Sequence, residues 1–440
     1  MNYYDLLVQQ AARLGGKLFL QIDNHAYTYA GTLAATDTLA AALPELSGTV
    51  LISGAGLWQQ AVLFFALQKK GCRPVLLHHE LSHDDCLHLA AQYQLQGLVT
   101  WHDKLRCQTF PYTEAHPSTD DCLGVLSSGS TGLPKVLYRT WASWADFFPV
   151  QNEIFHIGRE TRLFLQGNLS FTGNLNVWLS ILYAGATLIA CDTLYSRTWV
   201  RLMQEYDVTA MYLVPTKLQL LSRVLTAPLP LVRCIFTGSQ LLSQSLYRTL
   251  HHYFPQAEII AYYGATELNY ITYRIYDGSA TDPQNMGKPF PGVSLFVKDG
   301  CIYVNSPYHV SGISVPYTLE DTGCLTEKGD LFFTGRKQSW INKGGYKLSC
   351  LYLERKLKTL PTIREAVALP LSDRLRGQNW AACIVTTAAA SQAAVRQAIH
   401  HLLSVKEQPA AILFLDALPL NDRGKIDHNA LTGFVQKSLT

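Results

Sequence analysis

The stretch "LSSGSTGLPK", Leu126 to Lys135, constrains this chain more than any other. It sets Ser and Thr hydroxyls, two glycines and a lysine between one strand-like run, 122–126, and another, 136–138. That density of hydroxyls and glycines suits a backbone wrapped around an anion. A P-loop NTPase needs its lysine after glycine, a Ser or Thr next, and a helix at once. Here Pro134 precedes Lys135 and Val136 follows it. Pro134 disfavours an α conformation at Leu133, and the residues beyond Lys135 read as a strand. The pattern therefore predicts strand–loop–strand, with hydroxyls, amides and Lys135 closing over a polyphosphate. The competing reading of the loop by itself is a polar surface turn.

At 440 residues the chain is too long for one ordinary core. Its 48% apolar and 16% charged content fits a well-packed globule. A net charge of +3 and no basic run give no reason to expect nucleic acid or a membrane surface. The ten cysteines are scattered singly, as in reduced cytosolic proteins. No secretory signal is visible in "MNYYDLLVQQ", and runs such as "AVLFFAL" fall far short of spanning length. The expectation is a cytoplasmic protein without membrane insertion.

Along the chain, β-rich runs alternate with helical patterns. "TVLISG" reads as a buried strand, "LWQQAVLFFALQKKG" as a helix closed by Gly71, and "PVLLH" as the next strand. Ser82, with Asp85 three residues on, starts a helix. The alternation resumes in "NVWLSILYAGATLIACD", "VTAMYLVP", "LVRCIFTG" and "AEIIAYYG". This is the signature of an α/β fold with parallel sheets. After Asn285 the character changes to a hairpin around Asp299-Gly300, and then to a short helix-and-strand region. Two domains are expected, a large one over 1–336 and a small mobile α+β one over 337–440.

The opening loop is followed, in order, by "TGSQ" (237–240), "YYGATE" (262–267), "EDTG" (320–323), "GRKQSWINKGGYKLSCLYLE" (335–354) and "LPLNDRGKIDHNAL" (418–431). Six ordered matches over about three hundred residues resemble the acyl-adenylating superfamily. That superfamily comprises acyl-CoA synthetases, peptide-synthetase adenylation domains and luciferases. The resemblance implies a large domain of stacked sheets and helices with a small domain that swings. It also implies ATP and Mg2+ as cofactors and an acyl-AMP intermediate. Ser127, Ser128, Gly129, Ser130, Thr131, Gly132 and Lys135 would hold the β- and γ-phosphates. Gly238, Ser239 and Gln240 would line the adenine side, with Tyr263 and Gly264 against the base. Thr266 would order the α-phosphate and Glu267 the metal. Asp321 and Arg336 would take the ribose, and Lys425 would be the catalytic lysine. Each has a plainer reading, Asp321 and Lys425 as turn residues in particular.

Adenylation brings a carboxylate toward a tetra-anion, so catalysis should rest on positioning and cationic stabilisation. A second step would pass the acyl group to coenzyme A, or to the phosphopantetheine of a carrier protein. Gly344 and Gly345 would let that arm approach. The hinge position falls at Gln338, where the family usually has an acid. In "NLSFTGNLNVW" Thr172 follows Phe171, where amino-acid-activating relatives often carry an acid. That favours a fatty, aromatic or other small-molecule carboxylic acid without an amine. Phe171, Thr172, Gly173, Asn174, Trp178 and Tyr262 are the pocket candidates. His79 and His83, four apart, suggest a metal, but Ser82 explains the segment as a helix start. A catalytically inactive nucleotide-binding regulatory protein is the rival of another class. The retained Lys135, Glu267, Asp321 and Lys425 argue against it.

Overall fold

The computed structural model describes residues 1–78, 81–112, 120–127, 134–278, 282, 284–336, 340–343, 346–373, 377–387, 390–421 and 425–439. The chain divides into two compact units. One is Met1–Ser294 with Val304–Pro316, and the other is Leu295–Tyr303 with Tyr317–Thr440. The strands Tyr317–Leu325 and Leu331–Arg336 belong to the second unit.

In the first unit a long sheet runs parallel through Glu258–Ala265, Cys234–Thr237, Ala210–Tyr212, Arg162–Gln166, Thr187–Cys191 and Leu18–Ile22. Antiparallel strands close both of its edges. A second sheet is parallel through Gly97–Trp101, Thr49–Ser53, Arg73–Leu76 and Asp121–Ser127. The antiparallel Lys135–Thr140 and Leu105–Thr109 flank it. The expected α/β alternation is thus present, and the apolar strand runs reflect burial on both faces.

The helix Leu57–Lys69 is buried almost all round, because it lies among other helices as well as against a sheet. Gly71 follows with φ +76°, the left-handed residue expected there. Ser82 caps the helix His83–Gln92 in a reciprocal capping box with Asp85. The helix Thr172–Ala184 touches strands of both sheets, and its Trp178 packs on Phe19, Phe64 and Phe65.

In the second unit the hairpin at Asp299-Gly300 has φ +52° and +74°, the pair of positive values that a tight two-residue turn requires. Its C-terminal sheet alternates its side chains strictly. Ala366, Ala368, Trp380, Ala382 and Ile384 face the helices Cys350–Lys358 and Gln392–Leu402. Val367, Leu369, Ala381, Cys383 and Val385 face the helix His428–Leu439.

Candidate active site

Asp121–Ser127 and Lys135–Thr140 pair antiparallel, with Ser127 opposite Lys135. The opening loop is therefore the tip of a hairpin, and the helix a P-loop would demand is replaced by a strand. Ser127 is buried and Lys135 exposed, so the ends of the loop are anchored on one side and open on the other. Ser128, Gly129, Ser130, Thr131 and Gly132 lie outside the described residues, as do Gln338, Gly344, Gly345 and His79.

Arg139, on the returning strand, is fully buried. Its guanidinium donates to the carbonyl of Thr266 at 2.7 Å and that of Tyr308 at 3.0 Å. It also donates to Ser143 Oγ at 3.3 Å and packs over the Trp144 ring. Burial lowers its pKa to about 9, so it remains cationic at neutral pH. This side chain fastens the Ser/Gly hairpin to the segment that carries Thr266 and Glu267.

That segment is itself rigid. Glu258–Ala265 and Asn269–Tyr276 form a hairpin with an irregularity at Tyr263/Gly264. A Cβ on Gly264 would lie 2.6 Å from the Asn269 carbonyl, so only glycine fits. The amide of Val310 donates to the Glu267 carbonyl at 2.9 Å. The Glu267 carboxylate is half-buried and has no hydrogen-bond partner among the described residues. A half-buried carboxylate that no protein donor occupies is the kind of oxygen ligand that fits Mg2+.

The acid-pocket candidates split. Thr172 donates to the Leu126 carbonyl at 3.3 Å, tying its helix to the first hairpin strand. Phe171 stacks on His78, whose Nδ1 lies 2.8 Å from Ser170 Oγ. Asn174 donates to the carbonyls of Asn168 and Gln166, which shapes the loop before the helix. A Cβ on Gly173 would fall 2.3 Å from the Tyr212 hydroxyl, and one on Gly238 would fall 2.4 Å from the Tyr262 ring. The Tyr212 and Tyr262 hydroxyls are 2.8 Å apart. Gly173, Gly238 and Tyr262 thus converge. Trp178 sits instead in the aromatic core with Phe64 and Phe65. Of the adenine-side residues, Ser239 is exposed at φ +68°, and Gln240 and Tyr263 are half-buried.

In the second unit, Asp321 is buried within the strand Tyr317–Leu325, in register with Arg336. It is a strand residue, not a turn former. Thr322 Oγ1 donates to the Gly335 carbonyl at 3.0 Å, which holds that register. Lys425 is exposed at the end of a closed loop. Its amide donates to Asn421 Oδ1 and its carbonyl accepts from the Asn421 amide at 2.8 Å.

No motif marks Arg139, Tyr212 or His78. Their roles depend on partners far away in sequence. The one available signal was for His78, polar at the end of an apolar strand.

A family model described as "AMP-binding enzyme" matches residues 106–304. The putative long chain fatty acid-CoA ligase VraA of Staphylococcus haemolyticus is 27% identical over 380 residues, covering 81% of each chain. An uncharacterized acyl-CoA ligase of Bacillus subtilis, YhfT, is 26% identical over 331 residues, 71% of this chain and 68% of its own. This match and these relatives accord with the resemblance to the acyl-adenylating superfamily. Among solved structures, o-succinylbenzoate CoA synthetase (MenE) of Bacillus subtilis matches with a TM-score of 0.80 at 19% identity, over 97% of both chains. That enzyme has been solved with an acyl-adenylate and with ATP and a magnesium ion. The α/β architecture expected from the sequence is the one this solved structure has. As to membranes, no helix among the described residues is long and apolar enough to cross one.

Proposed function

We propose that this chain condenses a carboxylic acid lacking an amine with ATP, and then transfers the acyl group to the thiol of coenzyme A. The observation that carries the reading is the Arg139 clamp, which joins the Ser/Gly hairpin to Thr266 and Glu267. A phosphate loop and a metal-binding carboxylate are useful together only if something holds them in register.

In the first step a carboxylate oxygen attacks the α-phosphorus, the bond to the bridging oxygen breaks, and pyrophosphate leaves. In this reading Ser127, Ser128, Gly129, Ser130, Thr131, Gly132 and Lys135 bind the outer phosphates. Glu267 would hold Mg2+, which would supply positive charge against the phosphates. Gly238, Ser239, Gln240, Tyr263 and Gly264 hold the base, and Asp321 and Arg336 the ribose. Lys425 offsets the repulsion between carboxylate and α-phosphate. In the second step the thiol sulfur bonds to the acyl carbon and AMP leaves with its oxygen, with Gly344 and Gly345 beside the pantetheine arm.

ATP–pyrophosphate exchange over a panel of acids tests the first step, with Lys425→Ala as the blank. Thioester formation is then assayed with coenzyme A against a phosphopantetheinylated carrier protein. Exchange followed by acyl-CoA supports the reading. Transfer to the carrier alone moves the acceptor, and ATP binding without exchange would make the chain a nucleotide-binding regulator.

A further inference from the structure

Among the described residues, the non-glycine residues with positive φ sort by their place in the fold. Gln94, His156 and Asp207 each come one residue past the C-cap of a helix. Asp23 and Asp299 sit in hairpin turns. Those are ordinary places for a left-handed residue. Ser239, Asn269 and Glu320 remain. Ser239 lies in the loop assigned to adenine, Asn269 opens the strand after Glu267, and Glu320 precedes Asp321. All three adjoin residues assigned to the nucleotide.

Glu320 stands apart even from these, because it lies inside the strand Tyr317–Leu325 with φ +59°. Strand residues hold φ near −120° to −140°. Glu also lacks the short polar side chain that lets Asn and Asp bond locally in the left-handed region. The Glu320 amide donates to Thr318 Oγ1 at 3.1 Å, which pins the turn. Glu320 is exposed, whereas Asp321 is buried. On the far side of Asp321 the register with Leu331–Arg336 shifts between Thr322 and Gly323. A Cβ on Gly323 would lie 2.4 Å from the Phe332 carbonyl. Thr322 Oγ1 donates to the Gly335 carbonyl and accepts from Thr334 Oγ1 at 3.0 Å. Asp321 is held between two irregularities of one strand.

We propose that Glu320 is a positioning residue, whose left-handed backbone, pinned by Thr318, aims the Asp321 carboxylate at the two ribose hydroxyls. The inference rests on the assignment of Asp321 to the ribose in the reading above. A regular strand alternates its faces, and one left-handed residue turns the chain and re-aims the side chain that follows. Such a residue persists only where its surroundings over-determine it, and ligand clamps are where it concentrates. No plainer use is present, since Glu320 caps no helix and closes no hairpin. A carboxylate offers two acceptor oxygens, and both meet vicinal hydroxyls in one orientation only. The requirement falls on the Glu320 backbone rather than on its carboxylate. The position should therefore accept glycine and resist a β-branched residue.

The test is calorimetric titration of the full chain with ATP, 2′-deoxyATP and 3′-deoxyATP in the presence of Mg2+. In the parent each deoxynucleotide should bind about 10- to 10²-fold more weakly than ATP, and Asp321→Ala should erase the difference. Glu320→Val should cut that ratio at least about fivefold, whereas Glu320→Gly should keep it. Thr318→Val, which removes the pin, should shift the ratio in the same direction and carries the test if Glu320→Val does not fold. A fall in Glu320→Gly as large as in Glu320→Val would assign the effect to the carboxylate and overturn the proposal. A ratio unmoved in both valine variants would overturn it while leaving Asp321 on the ribose. Equal binding of all three nucleotides by the parent would overturn the ribose assignment, and the positioning role with it. No binding of ATP would overturn the adenylation reading itself.

Discussion

Arg139 joins segments 127 residues apart by donating to the carbonyl beside Glu267. Charge-assisted hydrogen bonds of this kind are worth roughly 1.5–3 kcal/mol each. Arg139→Met should therefore lower kcat/KM for ATP by about 10²-fold, with a raised Mg2+ requirement in the exchange assay. Arg139→Lys should recover only part of this, because a point charge does not reproduce a fork spanning two carbonyls. A lowered melting temperature with ATP and Mg2+ saturation unchanged would mean that Arg139 only braces the fold. Close packing makes a second case at Gly238. Gly238→Ala would drive a methyl into the Tyr262 ring, and a loss of about 1–3 kcal/mol in urea melts is expected. Residues such as Lys135 and Glu267 were legible because chemistry-bearing types cluster around them within ten positions. Arg139 and Tyr212 were not, since a lone polar residue in a strand acquires meaning only from a partner that the fold delivers.

Elements were legible where the punctuation was local. Pro134 disfavoured a helix through Leu133, the run after Lys135 read as a strand, and the Ser82–Asp85 box marked its helix start. The helix Tyr3–Leu14 opens with the same device, Asn2 and Asp5, and was readable in the same way. The helix Cys350–Lys358 hides a different property. Glu354 accepts from the Ala368 amide at 3.0 Å, and burial pushes its carboxyl up to about 7, with that amide and Lys358 pulling back. The unfolded chain releases this proton near pH 4.3. Between those values the folded state holds a proton that the unfolded state has lost, so stability is full below about 4.3 and drains as pH rises through 7. The loss is at most about 4 kcal/mol. Glu354→Gln keeps the acceptor and removes the titration. Urea melts at pH 5 and pH 8 should therefore differ less in the variant than in the parent. Equal differences would take Glu354 out of the pH dependence.

At the scale of the whole molecule, the proposed roles are divided between the two units. The hairpin, Arg139 and Glu267 belong to the first, and Asp321 and Lys425 to the second. The two chemical steps make unequal demands on a cation. Acyl-AMP formation drives a carboxylate toward a polyphosphate, whereas thiol attack on acyl-AMP has no such clash. Lys425 stands at the end of a loop held by Asn421 through two main-chain contacts, neither of which uses the lysine side chain. Lys425→Ala keeps both of these contacts with Asn421. It should slow acyl-AMP formation by at least 10²–10³-fold, the scale for losing one transition-state electrostatic contact. Transfer from supplied acyl-AMP to coenzyme A should stay within a few-fold of the parent. Stopped-flow measurement of each half-reaction separates the two. Equal losses in both would make Lys425 a structural residue and leave the first step without its cation.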